Sequence, residues 1–135
     1  MRVAQASMSI ATAAFAGLAL TMPAKAVEIQ QLLGRWSSPD LDECGEPDNS
    51  EGAPLSIRLE SGEVWIGNYG WLCSVPVGDW RADGDFLTGS ARACGQEGGD
   101  DPFDQDFRLG LDKQDRLLMV DGETTTTLRR CPAAP

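Results

Sequence analysis

This 135-residue chain contains no histidine. Without an imidazole it lacks the usual base near neutral pH, which excludes an ordinary serine or cysteine triad. The usual nitrogen ligand of zinc is missing too, and no C-x-x-C pair replaces it. Lysine is nearly as scarce. Of Lys25 and Lys113, the second falls in a predicted turn, where an amine stays solvated. Carboxylates are the only acid/base groups left in number, and nothing in their spacing sets two of them apart as a couple. A catalytic role is therefore not expected, and no cofactor is implied. Long apolar runs are also missing beyond Ile10–Leu20, and that stretch is shorter than the roughly 20 residues a membrane-spanning helix needs.

That one apolar stretch has the layout of a secretory leader. Arg2 gives the positive start, Pro23 breaks the run, and Ala24-Lys25-Ala26 offers small residues to a signal peptidase. Cleavage is expected between Ala26 and Val27, leaving a single domain over 27–135 and a secreted protein of the bacterial periplasm. With Arg2 and Lys25 in the leader, nine basic and 21 acidic residues remain, a net charge of −12. Such a surface repels phosphate backbones, so no nucleic-acid partner is expected, whereas a basic protein or a cation is favoured.

Four cysteines are present: Cys44, Cys73, Cys94 and Cys131. An even count in a small secreted domain reads as two disulfides. Cys73 and Cys94 are equidistant from an Asp83-Gly84 turn centre, which favours Cys73–Cys94 and leaves Cys44–Cys131. A simple up-and-down strand order, however, puts Cys131 at the end opposite the other three. Cys44–Cys73 with Cys94–Cys131 therefore stays open as the alternative.

Glycine-marked turns separate short alternating segments, with no helical period of any length. In "LSIRLESGEVWIGN" the Ser61-Gly62 turn pairs Glu60 with Glu63, Leu59 with Val64 and Ile57 with Ile66. Those four aliphatic residues then share a core face, and Arg58 meets Trp65 on the other, within reach of a cation–π contact. A second hairpin is expected from Trp71–Arg81 to Phe86–Ala93. In a third, a Lys113-Gln114 turn sets Phe107, Leu109 and Leu111 against Val120, Leu118 and Arg116. This register leaves Leu117 and Met119 on the second face. Asp121-Gly122 turns the chain into Thr124–Arg130, whose threonines suit a strand. A helical turn is expected around Ile29–Leu33, and acidic loops over Ser38–Ala53 and Cys94–Asp106. Together these predict an all-β fold: a small antiparallel β-barrel or sandwich of about 7–8 strands, held by two disulfides.

Trp65, Tyr69, Trp71 and Trp80 make one half of the chain tryptophan-rich. An exposed aromatic patch rimmed by carboxylates forms a binding surface, whereas burial beneath a loop makes the same residues structural. The Asp100–Asp106 stretch is dense enough in carboxylates for calcium, but its spacing fits no EF-hand, and a solvated loop pinned by Pro102 and Phe103 is the plainer reading.

"LLGRWSS" resembles the Gly-X-Trp that opens the first strand of calycins, the lipocalin and avidin group. That resemblance implies an eight-stranded barrel with Trp36 plugging one end and a cup for a small apolar ligand. The layout as a whole is similar to small secreted bacterial four-cysteine β proteins of uncharacterised function, with a Cys94-x-x-Glu97-Gly98 step and a cysteine at the end. The expectation is a non-enzymatic binding or inhibitor-like module that engages a protein partner through aromatic and acidic surface. A calycin-like carrier of a small apolar ligand is the alternative, and a carboxylate-based enzyme the remotest.

Overall fold

The computed structural model describes residues 27–99 and 101–133. The expected leader, 1–26, and Asp100 lie outside the described residues. After one helical turn, α1 (Ile29–Leu32), nine strands follow: β1 (Gly34–Ser37), β2 (Leu55–Glu60), β3 (Glu63–Asn68), β4 (Trp71–Pro76), β5 (Arg81–Asp83), β6 (Phe86–Gln96), β7 (Phe103–Leu111), β8 (Leu117–Asp121) and β9 (Thr124–Arg130). All described pairings are antiparallel, in the order β4-β3-β2-β1-β9-β8-β7-β6-β5, and β4 also pairs with β6. Eight strands thus close a barrel, and β5 continues the line of β4 along β6 after a single 3-10 turn at Val77–Asp79. Among the described residues no helix is long and apolar enough to cross a membrane.

The first hairpin has the expected register: Ile57 faces Ile66, Leu59 faces Val64 and Arg58 faces Trp65. Ser61 (φ 53°) and Gly62 (φ 78°) both take the positive φ that a tight two-residue turn with the twist of its strands requires. Ile57, Val64 and Ile66 are buried, but Leu59 lies at the barrel's end and is 41 % exposed, so it is not a core residue. Arg58 reaches Glu60 at 3.9 Å rather than the Trp65 ring.

Three registers differ from expectation; the β8–β9 turn is Gly122-Glu123, because Asp121 pairs with Thr124. The β5–β6 turn is Gly84-Asp85, because Asp83 pairs with Phe86. The 3-10 turn also interrupts the strand expected over Trp71–Arg81. The β7–β8 connection is a three-residue turn rather than two, since Leu111 pairs with Leu117 and Leu109 with Met119. Asp112 is the cause. Its carboxylate accepts the amides of Gln114 and Arg116, each at 2.9 Å, and Asp115 absorbs the extra residue at φ 59°. Three-residue hairpin loops ending in a left-handed residue are a common solution. The added residue moves Leu117 and Met119 to the inward face.

The disulfides are Cys44–Cys131 and Cys73–Cys94. Cys73 and Cys94 lie across the β4–β6 seam, with Cα atoms 4.4 Å apart. The shifted β5–β6 turn alone would have misaligned them, but the 3-10 turn restores the register, since Leu72 pairs with Gly95. A bulge between Ala91 and Cys94, with Ala93 at φ 60°, turns Cys94 inward. Cys131 sits beside Arg35, its amide donating to the Arg35 carbonyl at 2.8 Å, and the loop after β1 folds back to bring Cys44 there. That fold-back removes the obstacle a simple strand order raised against this pairing.

Candidate functional site

The barrel has a closed end and an open one. α1 seals the end where β1 begins. Leu32 is wholly buried, and its carbonyl accepts the indole N–H of the equally buried Trp36 at 2.9 Å. Ile57, Val64, Ile66, Val75, Leu109 and Leu117 pack into one core with this plug. On β4, β8 and β9 the burial of inward residues falls toward the other end. On β8, Leu117 is buried, Met119 half-buried and Asp121 exposed; on β9, Leu128 is half-buried and Thr126 exposed. On β4, Val75 and Cys73 are buried, whereas Trp71 is only half-buried. Inward side chains that meet solvent mark an open mouth.

Two adjoining hollows occupy that mouth. One, of about 360 Å³, lies between the barrel rim and the loop after β1, floored by Trp36, Leu55, Trp71, Met119 and Leu128. The other, of about 230 Å³, adjoins it at Trp71 and Met119 and is lined also by Phe107, Leu109, Thr126, Asp106 and Arg108. Trp71 stacks on Phe107 with ring centres 6.3 Å apart, and Phe107 meets Trp80 at the same distance.

The overhanging loop is held from several sides. Ser37, buried at the end of β1, donates its hydroxyl to the Leu41 carbonyl at 2.9 Å. The Arg35 guanidinium donates to the carbonyls of Cys44 (3.2 Å) and Glu46 (2.6 Å) and to the Asp48 carboxylate (3.1 Å). Arg129 reaches Asp42 at 3.3 Å, and the Cys44–Cys131 bridge completes the set. Polar residues that read as a plain acidic loop thus build one wall of the mouth.

The four aromatics expected to form one surface are divided. Trp71 and Tyr69 stand at the mouth, Tyr69 in the turn between β3 and β4. Trp65 projects from the outer barrel face, where it and Leu72 border a groove of about 440 Å³ with Arg58, Glu60 and Glu63. Trp80 is a core residue, 7 % exposed, packed on Gly89 with its indole N–H unpaired. Tyr69 faces Glu97; the hydrogen bond to that carboxylate, then its charge, hold the phenol above its ordinary pKa, with a further push from Glu51.

Two of the aspartates weighed for calcium, Asp104 and Asp106, are occupied otherwise. Asp104 receives Arg92 and the Ala93 amide, and Asp106 receives the Ser90 hydroxyl. Both lie on β7, which begins earlier than the expected loop allows. Among the described residues no group of three such ligands is placed to hold a metal ion.

Sequence reading missed Met119 and Leu128 as mouth residues because their facing depends on the β7–β8 register. The available signal was Asp112 with Asp115, two residues suited to a capped turn with a left-handed position. No protein-family model, curated protein or solved structure matches this chain.

Proposed function

We propose that this protein is a non-enzymatic, calycin-like carrier that holds a small apolar ligand in the open end of its barrel. The observation that carries this reading is Trp71, an inward tryptophan left half-buried above Phe107, Met119 and Leu128. Large apolar side chains that leave water only when something enters the mouth supply binding energy of about 25 cal/mol per Å² covered. The hollow of about 360 Å³ falls in the range of roughly 300–1,000 Å³ common for small-molecule sites. The setting we propose is the bacterial periplasm, in keeping with two disulfides and the leader-like start.

The test is titration with N-phenyl-1-naphthylamine, which brightens in apolar surroundings. Saturable brightening that is lost in Trp71→Ala and in the cup-filling Met119→Trp supports the reading. No brightening, or brightening indifferent to both changes, overturns it.

A basic protein partner is the second reading, favoured by the outer groove where Trp65 and the 39 %-exposed Leu72 adjoin Glu60 and Glu63. It requires salt-sensitive capture from periplasmic extract that Trp65→Ala abolishes. Capture indifferent to salt or to that substitution removes it.

A further inference from the structure

We infer that the ligand of the mouth carries a positive charge: an apolar body with an ammonium head group, held at the rim by Glu43 and Glu51. The inference rests on the carrier reading and adds to it the chemical class of the ligand.

Three observations carry it. The mouth hollow is lined by the carboxylates of Glu43 and Glu51 and by no lysine or arginine. The overhanging loop, 38–54, contains Asp40, Asp42, Glu43, Glu46, Asp48 and Glu51 and no basic residue. Arg129 and Arg35 pair with Asp42 and Asp48, leaving Glu43 and Glu51 outside the ion pairs of the described residues.

Second, the arginines nearest the barrel rim are committed elsewhere. Arg35 holds the loop backbone, and Arg130 lies over Trp36 at the closed end. Arg108, which lines the second hollow, pairs with Asp83 and covers the Phe86 ring from the outer face. An anionic head in the hollow under the loop therefore meets Glu43 and Glu51 and no guanidinium, which is a repulsive arrangement.

Third, an aromatic face lines the same hollow as the two carboxylates. Trp71 is half-buried in the mouth, and Tyr69, 38 % exposed, is two residues before it in the β3–β4 turn. A cation between carboxylates and aromatic faces is bound by both.

The experiment compares three ten-carbon probes by displacement of N-phenyl-1-naphthylamine: decyltrimethylammonium, 1-decanol and decanoate. The expected order is ammonium tightest, by about tenfold over the alcohol, with decanoate weakest. In the double variant Glu43→Gln, Glu51→Gln the ammonium-to-alcohol ratio collapses toward one. Equal binding of ammonium and alcohol, a preference for decanoate, or a ratio unmoved by the double variant overturns the inference while the carrier reading stands. If neither the naphthylamine nor any probe binds, the carrier reading falls and the inference with it.

Discussion

The Arg130 guanidinium lies 4.2 Å from the centre of the Trp36 ring, fastening the last strand over the first. Its remaining donors reach the carbonyls of Gln31 (2.6 Å) and Leu33 (3.0 Å) and the Asp115 carboxylate (3.3 Å). One side chain thus ties together α1, β1, β9 and the β7–β8 turn at the closed end. Only a planar fork can stack and donate in several directions at once. We predict that Arg130→Lys, though it keeps the charge, lowers unfolding free energy by about 2 kcal/mol in urea denaturation.

The two disulfides differ in what they close. Cys44–Cys131 spans 87 residues of sequence and Cys73–Cys94 spans 21. On loop-closure entropy, losing the first is expected to cost roughly 4–5 kcal/mol and losing the second roughly 3 kcal/mol. The Cys44→Ala, Cys131→Ala pair also frees the mouth loop, so limited proteolysis is expected to cut within 38–54 first. The Cys73→Ala, Cys94→Ala pair leaves that loop protected at equal denaturant.

Close approaches rank the glycines. A Cβ on Gly67 would stand 2.2 Å from the Trp71 carbonyl oxygen, a backbone atom that cannot move alone. On Gly89 it would meet the Trp80 ring at 2.8 Å, and on Gly95 it would meet nothing within 4 Å. Thermal unfolding is expected to place Gly67→Ala as the most damaging, by about 3 kcal/mol or more, then Gly89→Ala, with Gly95→Ala near neutral.

Tyr69 is the chain's only tyrosine, so absorbance at 295 nm follows it alone. Hydrogen bonding to Glu97 and the repulsion of its charge predict a midpoint above the usual value of about 10. Glu97→Gln is expected to lower that midpoint. The folded protein holds this proton more tightly than the unfolded chain, so the associated stability is complete below the ordinary phenol pKa. It is lost as pH rises through the folded value.

Asp112 has the opposite sign. The Arg116 amide, ahead of the other hydrogen bonds and the Arg116 charge, holds its carboxyl below the usual range. Its contribution is present above the unfolded aspartate pKa of about 4 and disappears as pH falls through the folded value. Asp112→Asn is expected to flatten the acid limb of stability measured from pH 5 down to pH 2.

Local chemistry made much of this fold readable. Ser61-Gly62 determined its hairpin register residue by residue, because a two-residue turn leaves no slack between its strands. The β7–β8 hairpin was misread by one residue because the turn is shaped by the Asp112 side chain, which a count of strand alternation does not register. That single slip hid Met119 and Leu117 from the interior, and the mouth with them.

The sequence alone determined the all-β class, the turn-rich strand order and the interior position of Trp36. Each follows from alternation, glycine placement or the aversion of a large indole to water. The disulfide pairing, the division of the aromatics and the open end were decided only in three dimensions. Each depends on closing a sheet onto itself, where a bulge at Ala93, a break at Val77–Asp79 and a loop folded back by Arg35 combine over distances that no local pattern spans.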